Sequence, residues 1–170
     1  MRWFSPKFVK RVCVGVLSWY LIGLSNVPAE EEPSEIVLDI GSMIPRPLLG
    51  FGWSVSEIEK GRFYRWIDHL EADVTIELDR VGDSTLWVRA GAQYVPYTRQ
   101  TVSVYFNGVY VGEWVCVGHP GFVTYQLTVP ARVLKKGKNR MTLRMAYRKQ
   151  VGPDRRELAL CVDMIRLKVY

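Results

Sequence analysis

Between positions 53 and 66 stand two tryptophans, a carboxylate and a guanidinium: Trp53, Glu57, Arg65 and Trp66. An indole face packs against the apolar C–H face of a pyranose ring, and planar charged groups hydrogen-bond to sugar hydroxyls, so these residue types together could hold a saccharide. They suit a structural role as well, with both indoles closing the open end of a sandwich and Glu57 pairing with Arg65. A second aromatic set is Tyr105 and Tyr110, on either side of Asn107-Gly108. That dipeptide accepts the positive φ that a type I′ turn needs at both central positions, which makes it a hairpin signal. A two-residue loop pairs Phe106 with Val109, Tyr105 with Tyr110 and Val104 with Val111, placing the tyrosines opposite each other on the face away from the core. Trp114 joins them if the register runs on unbroken, and turns inward if a bulge falls at Gly112; Trp87 adds to the platform if its sheet is shared. A third set is the polar loop 148–157, where Arg148, Lys149, Arg155 and Arg156 surround Asp154. It could take an acidic glycan or phosphate, or simply be a solvated loop.

Catalysis has little to build on. His69 and His119 are the two histidines, and neither falls in Ser-His-Asp or metal-ligand spacing. Glu57 with Asp68 or Glu71 would make a glycosidase carboxylate pair only at a separation that the sequence does not set. Calcium near Asp79 or Asp83 has no ligand pattern behind it. The expectation is a binding protein without a catalytic residue set, cofactor or metal.

The elements that would position these residues are strands. Leu70, Ala72, Val74, Ile76 and Leu78 alternate with Glu71, Asp73, Thr75, Glu77 and Asp79, one face for a core and one for water. The same period of two recurs at Leu86, Val88 and Ala90, through both hairpin arms, at residues 123–129, and at Met141, Leu143, Met145 and Tyr147. In the last strand, residues 158–170, the apolar register shifts near Asp163, and a bulge absorbs the extra residue. Residues 50–65 are glycine-rich, then mixed polar and aromatic, and read as a loop. No convincing amphipathic helix and no internal repeat follows the leader. The pattern is all-β, and many strands joined by short turns predict an antiparallel β-sandwich or small barrel.

Composition sets the outer bounds. In the chain of 170 residues, 48% hydrophobic and 24% charged describe a globular protein. Arg2, Lys7, Lys10 and Arg11 precede the uncharged run 12–25, which is too short to span a bilayer as a helix. With Val27 and Ala29 at a signal-peptidase spacing, residues 1–29 read as a cleaved signal helix, and the protein as exported, periplasmic or extracellular. Any membrane contact would come through that segment alone, if uncleaved. Residues 30–49 read as a linker with an edge strand near 36–40, and residues 50–170 as the domain. The leader holds four of the 23 Lys and Arg and none of the 17 acids, so the remainder carries 19 basic residues and a net charge of +2. The basicity belongs largely to targeting and gives nucleic-acid binding little support. Cys116 and Cys161 remain after the leader is removed, and can either pair in an oxidising compartment or stay as buried thiols.

The order of short motifs resembles the galactose-binding-like jelly-roll domains found in bacterial membrane proteins linked to surface-polysaccharide synthesis. The matching residues are Gly52-Trp53-Ser54 with Glu57, Arg65-Trp66, residues 104–108 with Val111-Gly112 and Trp114, residues 127–130, Gly137-Lys138-Asn139 and Arg156-Glu157-Leu158. Such domains are similar to carbohydrate-binding modules. The resemblance implies a jelly-roll β-sandwich, a glycan or polysaccharide partner, and no catalytic set. The alternative is a structural module docking onto another envelope protein. One departure is that this domain follows its own leader instead of a multi-span membrane protein.

Overall fold

A computed structural model describes residues 32–42, 48–92, 99–116, 121–150, 153 and 155–170. The leader, the cleavage site and His119 lie outside the described residues. Those described form twelve strands and one 3-10 turn, Ala131–Val133.

The larger sheet is built on the last strand, β12 (Leu160–Val169). Along one side it pairs with β5 (Ser84–Ala92), which pairs in turn with β8 (Val123–Val129). Its other side is shared: β1 (Ser34–Asp39) takes Met164 to Val169, while β3 (Arg62–Ile67) takes Leu160 to Val162 and carries β2 (Trp53–Glu59) at the edge. The smaller sheet runs β4 (Glu71–Leu78), β9 (Gly137–Met145), β6 (Gln100–Phe106), β7 (Val109–Cys116). A two-residue ladder, β10 (Lys149–Gln150) with β11 (Glu157–Leu158), closes the polar loop. All pairings are antiparallel.

Alternation explains the layers. Val74 and Ile76 of β4, Leu143 of β9 and Phe106 of β6 face Val88 of β5 and Leu167 of β12, each at most 1% exposed. Burying such side chains contributes about 1.5–3 kcal/mol apiece, which sets the register wherever one face is apolar.

The shift expected near Asp163 is present, with the register of β12 against β5 changing between Val162 and Met164. The Asp163 carbonyl, freed from the ladder, accepts from the Ile40 amide at 2.8 Å and the Gly41 amide at 3.3 Å.

Residues 54–65 overturn the loop expectation: they belong to the β2–β3 hairpin, which turns at Lys60 and Gly61 with φ of 50° and 78°. Alternation was hard to see because β2 is an edge strand whose Val55 and Ile58 are both exposed. The turn of β6 into β7 has Asn107 and Gly108 at φ 51° and 85°, as type I′ requires. Phe106 pairs with Val109 and Tyr105 with Tyr110, but Val104 then pairs with Gly112, not Val111. Val111 is the extra residue of a bulge.

Candidate functional site

Trp53, Glu57, Arg65 and Trp66 are near in sequence but do not share one surface. Trp53 lies opposite Ile67, packs on the core, and donates from Nε1 to the Asp73 carbonyl at 2.8 Å. Arg65 pins the sandwich end, with Nε donating to the Ile40 carbonyl at 2.9 Å and Nη1 to the Ser54 carbonyl at 3.0 Å. It does not pair with Glu57. Glu57 instead accepts from Arg156 at 2.7 Å, joining the β2 edge to the polar loop. Trp66, next in the strand to Arg65, points to the opposite face, edge-on to Tyr64 at 6.0 Å.

A groove does form beside this hairpin. It has a volume of about 580 Å³ and is lined by Gly41, Ser42, Ser56, Glu57, Ile58, Phe63 and Arg65. Ser56 and Arg65 are directly paired across the hairpin, as are Ile58 and Phe63, so a hydroxyl, a guanidinium and a half-exposed ring lie along one face. The polar groups are held from behind, Ser56 Oγ donating to the Gly41 carbonyl and Arg65 to two carbonyls, whereas the Glu57 carboxylate turns to the other face of the hairpin, where Arg156 and the Tyr64 hydroxyl donate to it. Such groups lose little further freedom on meeting a ligand. A smaller recess of about 440 Å³ lies alongside, between Leu49, Gly50, Trp53 and Arg65. Phe63 is hard to single out in the sequence because exposed Val55 and Ile58 obscure the alternation of its hairpin; the Lys60-Gly61 pair, flanked by Ile58 and Phe63, is the signal that marks the turn.

The tyrosine pair forms as expected from the turn. Tyr105 and Tyr110 have ring centroids 5.6 Å apart on the outer face of the smaller sheet, and Arg144 lies 4.5 Å over Tyr105. Arg144 is itself held by Glu71 at 2.7 Å. Burial and the Glu113 carboxylate push the Tyr110 hydroxyl up. Trp114 does not extend this platform. The bulge turns it inward, where it is 8% exposed and stacks on Tyr125 at 5.1 Å. Trp87 stands on the other sheet, beneath the Arg166 guanidinium at 4.3 Å.

Arg155 is exposed near β11, on the same loop as Arg156. The carboxylates once considered as a catalytic pair each have a different partner: Glu57 has Arg156, Glu71 has Arg144, and Asp68 has His69 at 2.7 Å.

In sequence, the chain matches no family model and no curated protein. In structure, it is similar to a family 35 carbohydrate-binding module from Clostridium thermocellum, at 16% identity and a TM-score of 0.54 over 78% of this chain and 97% of that one. It is also similar to the C-terminal family 6 module of a marine laminarinase from Zobellia galactanivorans, at 12% identity and a TM-score of 0.52 over 79% and 98%. The fold is the jelly-roll β-sandwich of these modules. A GH26-CBM35 β-(1,4)-mannanase from Podospora anserina contains a similar jelly roll, at 15% identity and a TM-score of 0.52 over 80% of this chain, which spans 28% of the mannanase.

The jelly roll holds Cys116 and Cys161 as free thiols, both buried, so the disulfide considered from sequence is not formed. Cys116 belongs to the core beside Trp114 and Tyr125, whereas Cys161 sits on the far face of the larger sheet and donates to the Gly91 carbonyl at 3.1 Å. Burial pushes both thiols up, Cys161 to about 12.

Proposed function

We propose that this chain is an exported, non-catalytic carbohydrate-binding module acting on envelope or extracellular polysaccharide. The observation that carries the reading is the groove of about 580 Å³ in which Phe63 offers a ring face beside the fixed polar groups of Ser56 and Arg65. An aromatic face with hydrogen-bonding groups on its flank is the chemistry a pyranose needs. The solved domains of like fold are named as carbohydrate-binding modules, which supports the same conclusion. Export rests on the basic n-region and the short apolar run of residues 1–29.

A glycan array on the purified protein tests the reading, with Phe63→Ala and Tyr110→Ala as probes of the two aromatic surfaces. At the groove, Phe63→Ala should weaken the best glycan about ten-fold, a difference of about 1.4 kcal/mol, while Tyr110→Ala changes little. Glycan affinity untouched by Phe63→Ala would remove the groove, and loss in Tyr110→Ala would move the site to the smaller sheet. N-terminal sequencing of protein recovered outside the cytoplasm should begin at Glu30.

A second reading, a module docking onto another envelope protein, is favoured by the open edge at β2. Val55 is 67% exposed and Ile58 59%, on a strand with no further neighbour among the described residues. An apolar open edge is a template for strand addition. Failure to bind any glycan, with one protein recovered at equal stoichiometry through this edge, would replace the first reading with the second.

A further inference from the structure

The outer face of the larger sheet carries a group of charges that the groove does not use. Asp163 sits in the β12 bulge with its side chain 2% exposed, and Arg89 Nε reaches both of its oxygens, at 2.7 and 2.8 Å. Arg62, from the start of β3, approaches the same carboxylate at 3.4 Å. Two guanidiniums therefore share one carboxylate. Both also reach water, with side chains 46% and 38% exposed for Arg62 and Arg89, and no described residue takes their terminal nitrogens. Beside them opens a recess of about 470 Å³ lined by Glu59, Lys60, Arg62, Gly121 and Phe122. Phe122 lies under the Arg62 guanidinium at 5.0 Å. Two guanidiniums against the one carboxylate of Asp163 leave one positive charge over, and in the recess Lys60 stands with the carboxylate of Glu59 beside Arg62.

We propose that Arg62 and Arg89 form an anion-binding site here, separate from the groove, which takes the carboxylate, sulfate or phosphate group of an acidic sugar. The geometry suits an oxyanion because a guanidinium presents its terminal N–H groups as a planar fork, and Asp163 holds Arg89 by the inner edge so that the outer edge faces solvent. Phe122 supplies an apolar wall for the sugar ring that carries the anion. That a sugar bears the anion rests on the function proposed above; the charge geometry does not.

Isothermal titration of the purified protein with glucuronate, glucose 6-sulfate, glucose 6-phosphate, inorganic phosphate and glucose tests the site. The acidic sugars should bind more tightly than glucose or inorganic phosphate, and added salt should weaken them. Arg62→Gln should cost about ten-fold, as expected for one charge-assisted hydrogen bond. Because Arg62 is half exposed and leaves Asp163 its bond to Arg89, this variant should keep its fold. Glu59→Gln, which removes an opposing charge from the exposed rim, should tighten binding. Unchanged affinity for acidic sugars in Arg62→Gln, or glucose binding as well as glucuronate, would overturn the proposal. Phe63→Ala separates the two sites: loss of neutral-glycan binding with glucuronate binding intact supports both, and anion binding lost through Phe63→Ala places the anion in the groove and removes this site. Inorganic phosphate equal to every acidic sugar removes the sugar while leaving the charge.

Discussion

At the scale of single residues, three buried polar side chains hold the jelly roll together. Asp163 is enclosed with Arg89 and Arg62 around it, so removing the partner that grips both oxygens leaves a buried charge with one longer contact. Arg89→Leu is expected to cost about 3 kcal/mol in urea unfolding, whereas Arg89→Leu with Asp163→Leu should recover much of it. Asn139, fully buried, holds the approach to β9: its amide donates to the Lys135 and Gly137 carbonyls, and its oxygen accepts from the Lys135 amide and from Asn107. Asp73 works by charge. Burial acts to raise its carboxyl, but hydrogen bonds from Arg140 and Thr142 and the Arg140 charge outweigh that and hold it below its ordinary 3.8. A depressed folded value means that the contribution is complete above the unfolded pKa and disappears as pH falls through the folded one. The stability difference between the protein and Asp73→Asn should therefore be full near neutral pH and close on acidification below 3.8. A gap that is constant with pH would show that Asp73 contributes nothing through its charge.

At the scale of elements, tight backbone approaches and bulges decide where side chains point. Gly52 enters β2 at φ 91°, and a Cβ there would lie 2.0 Å from the Glu71 carbonyl oxygen. Gly52→Ala should lower stability by about 2 kcal/mol or more, measured by the denaturant midpoint, because strain and collision act together. Gly112, at φ 155°, stands beside the bulge of β7 under a looser constraint. Its Cβ would meet Leu127 at 3.1 Å, and the bulge beside it carries Trp114 from the surface into the core. The aromatic platform of the smaller sheet consequently stops at Tyr105 and Tyr110. Two features therefore decide what the surface presents: the bulge at Val111, which ends the tyrosine platform, and the β2–β3 hairpin, which places Phe63 in a groove.

At the scale of the whole molecule, stability comes from the core between two sheets and not from a cross-link. Cys116 ends β7 of the smaller sheet and faces the core, and Cys161 lies on the outer face of the larger sheet; both are buried with their thiols pushed up, so neither presents a thiolate. Native protein should leave a thiol reagent unreacted until it unfolds, and a reducing agent should leave the melting temperature unchanged; a drop on reduction would reveal a bond between them. The two outer faces also differ in chemistry. On the smaller sheet Glu71 and Asp73 are matched by Arg144 and Arg140 beside the tyrosines, while on the larger one Arg62 and Arg89 share the single carboxylate of Asp163 and Arg166 pairs with Glu35.

Alternation at a period of two was enough to assign β4, β5, β6, β8 and β9, and Asn107-Gly108 was enough to define a turn, because these signals are local and each strand has one dry face. The bulge at Asp163 was visible for the same reason: one residue too many breaks the period. The β2–β3 hairpin stayed hidden because an edge strand with Val55 and Ile58 in water has no dry face to impose alternation. The sites depend on what meets across the sheets. Glu57 finds Arg156 at a separation of 99 residues, and Arg89 finds Asp163 at 74. Residue types determined a sandwich rich in aromatic and charged side chains; only the tertiary structure decided which of them share a face, since one bulge reverses every side chain beyond it.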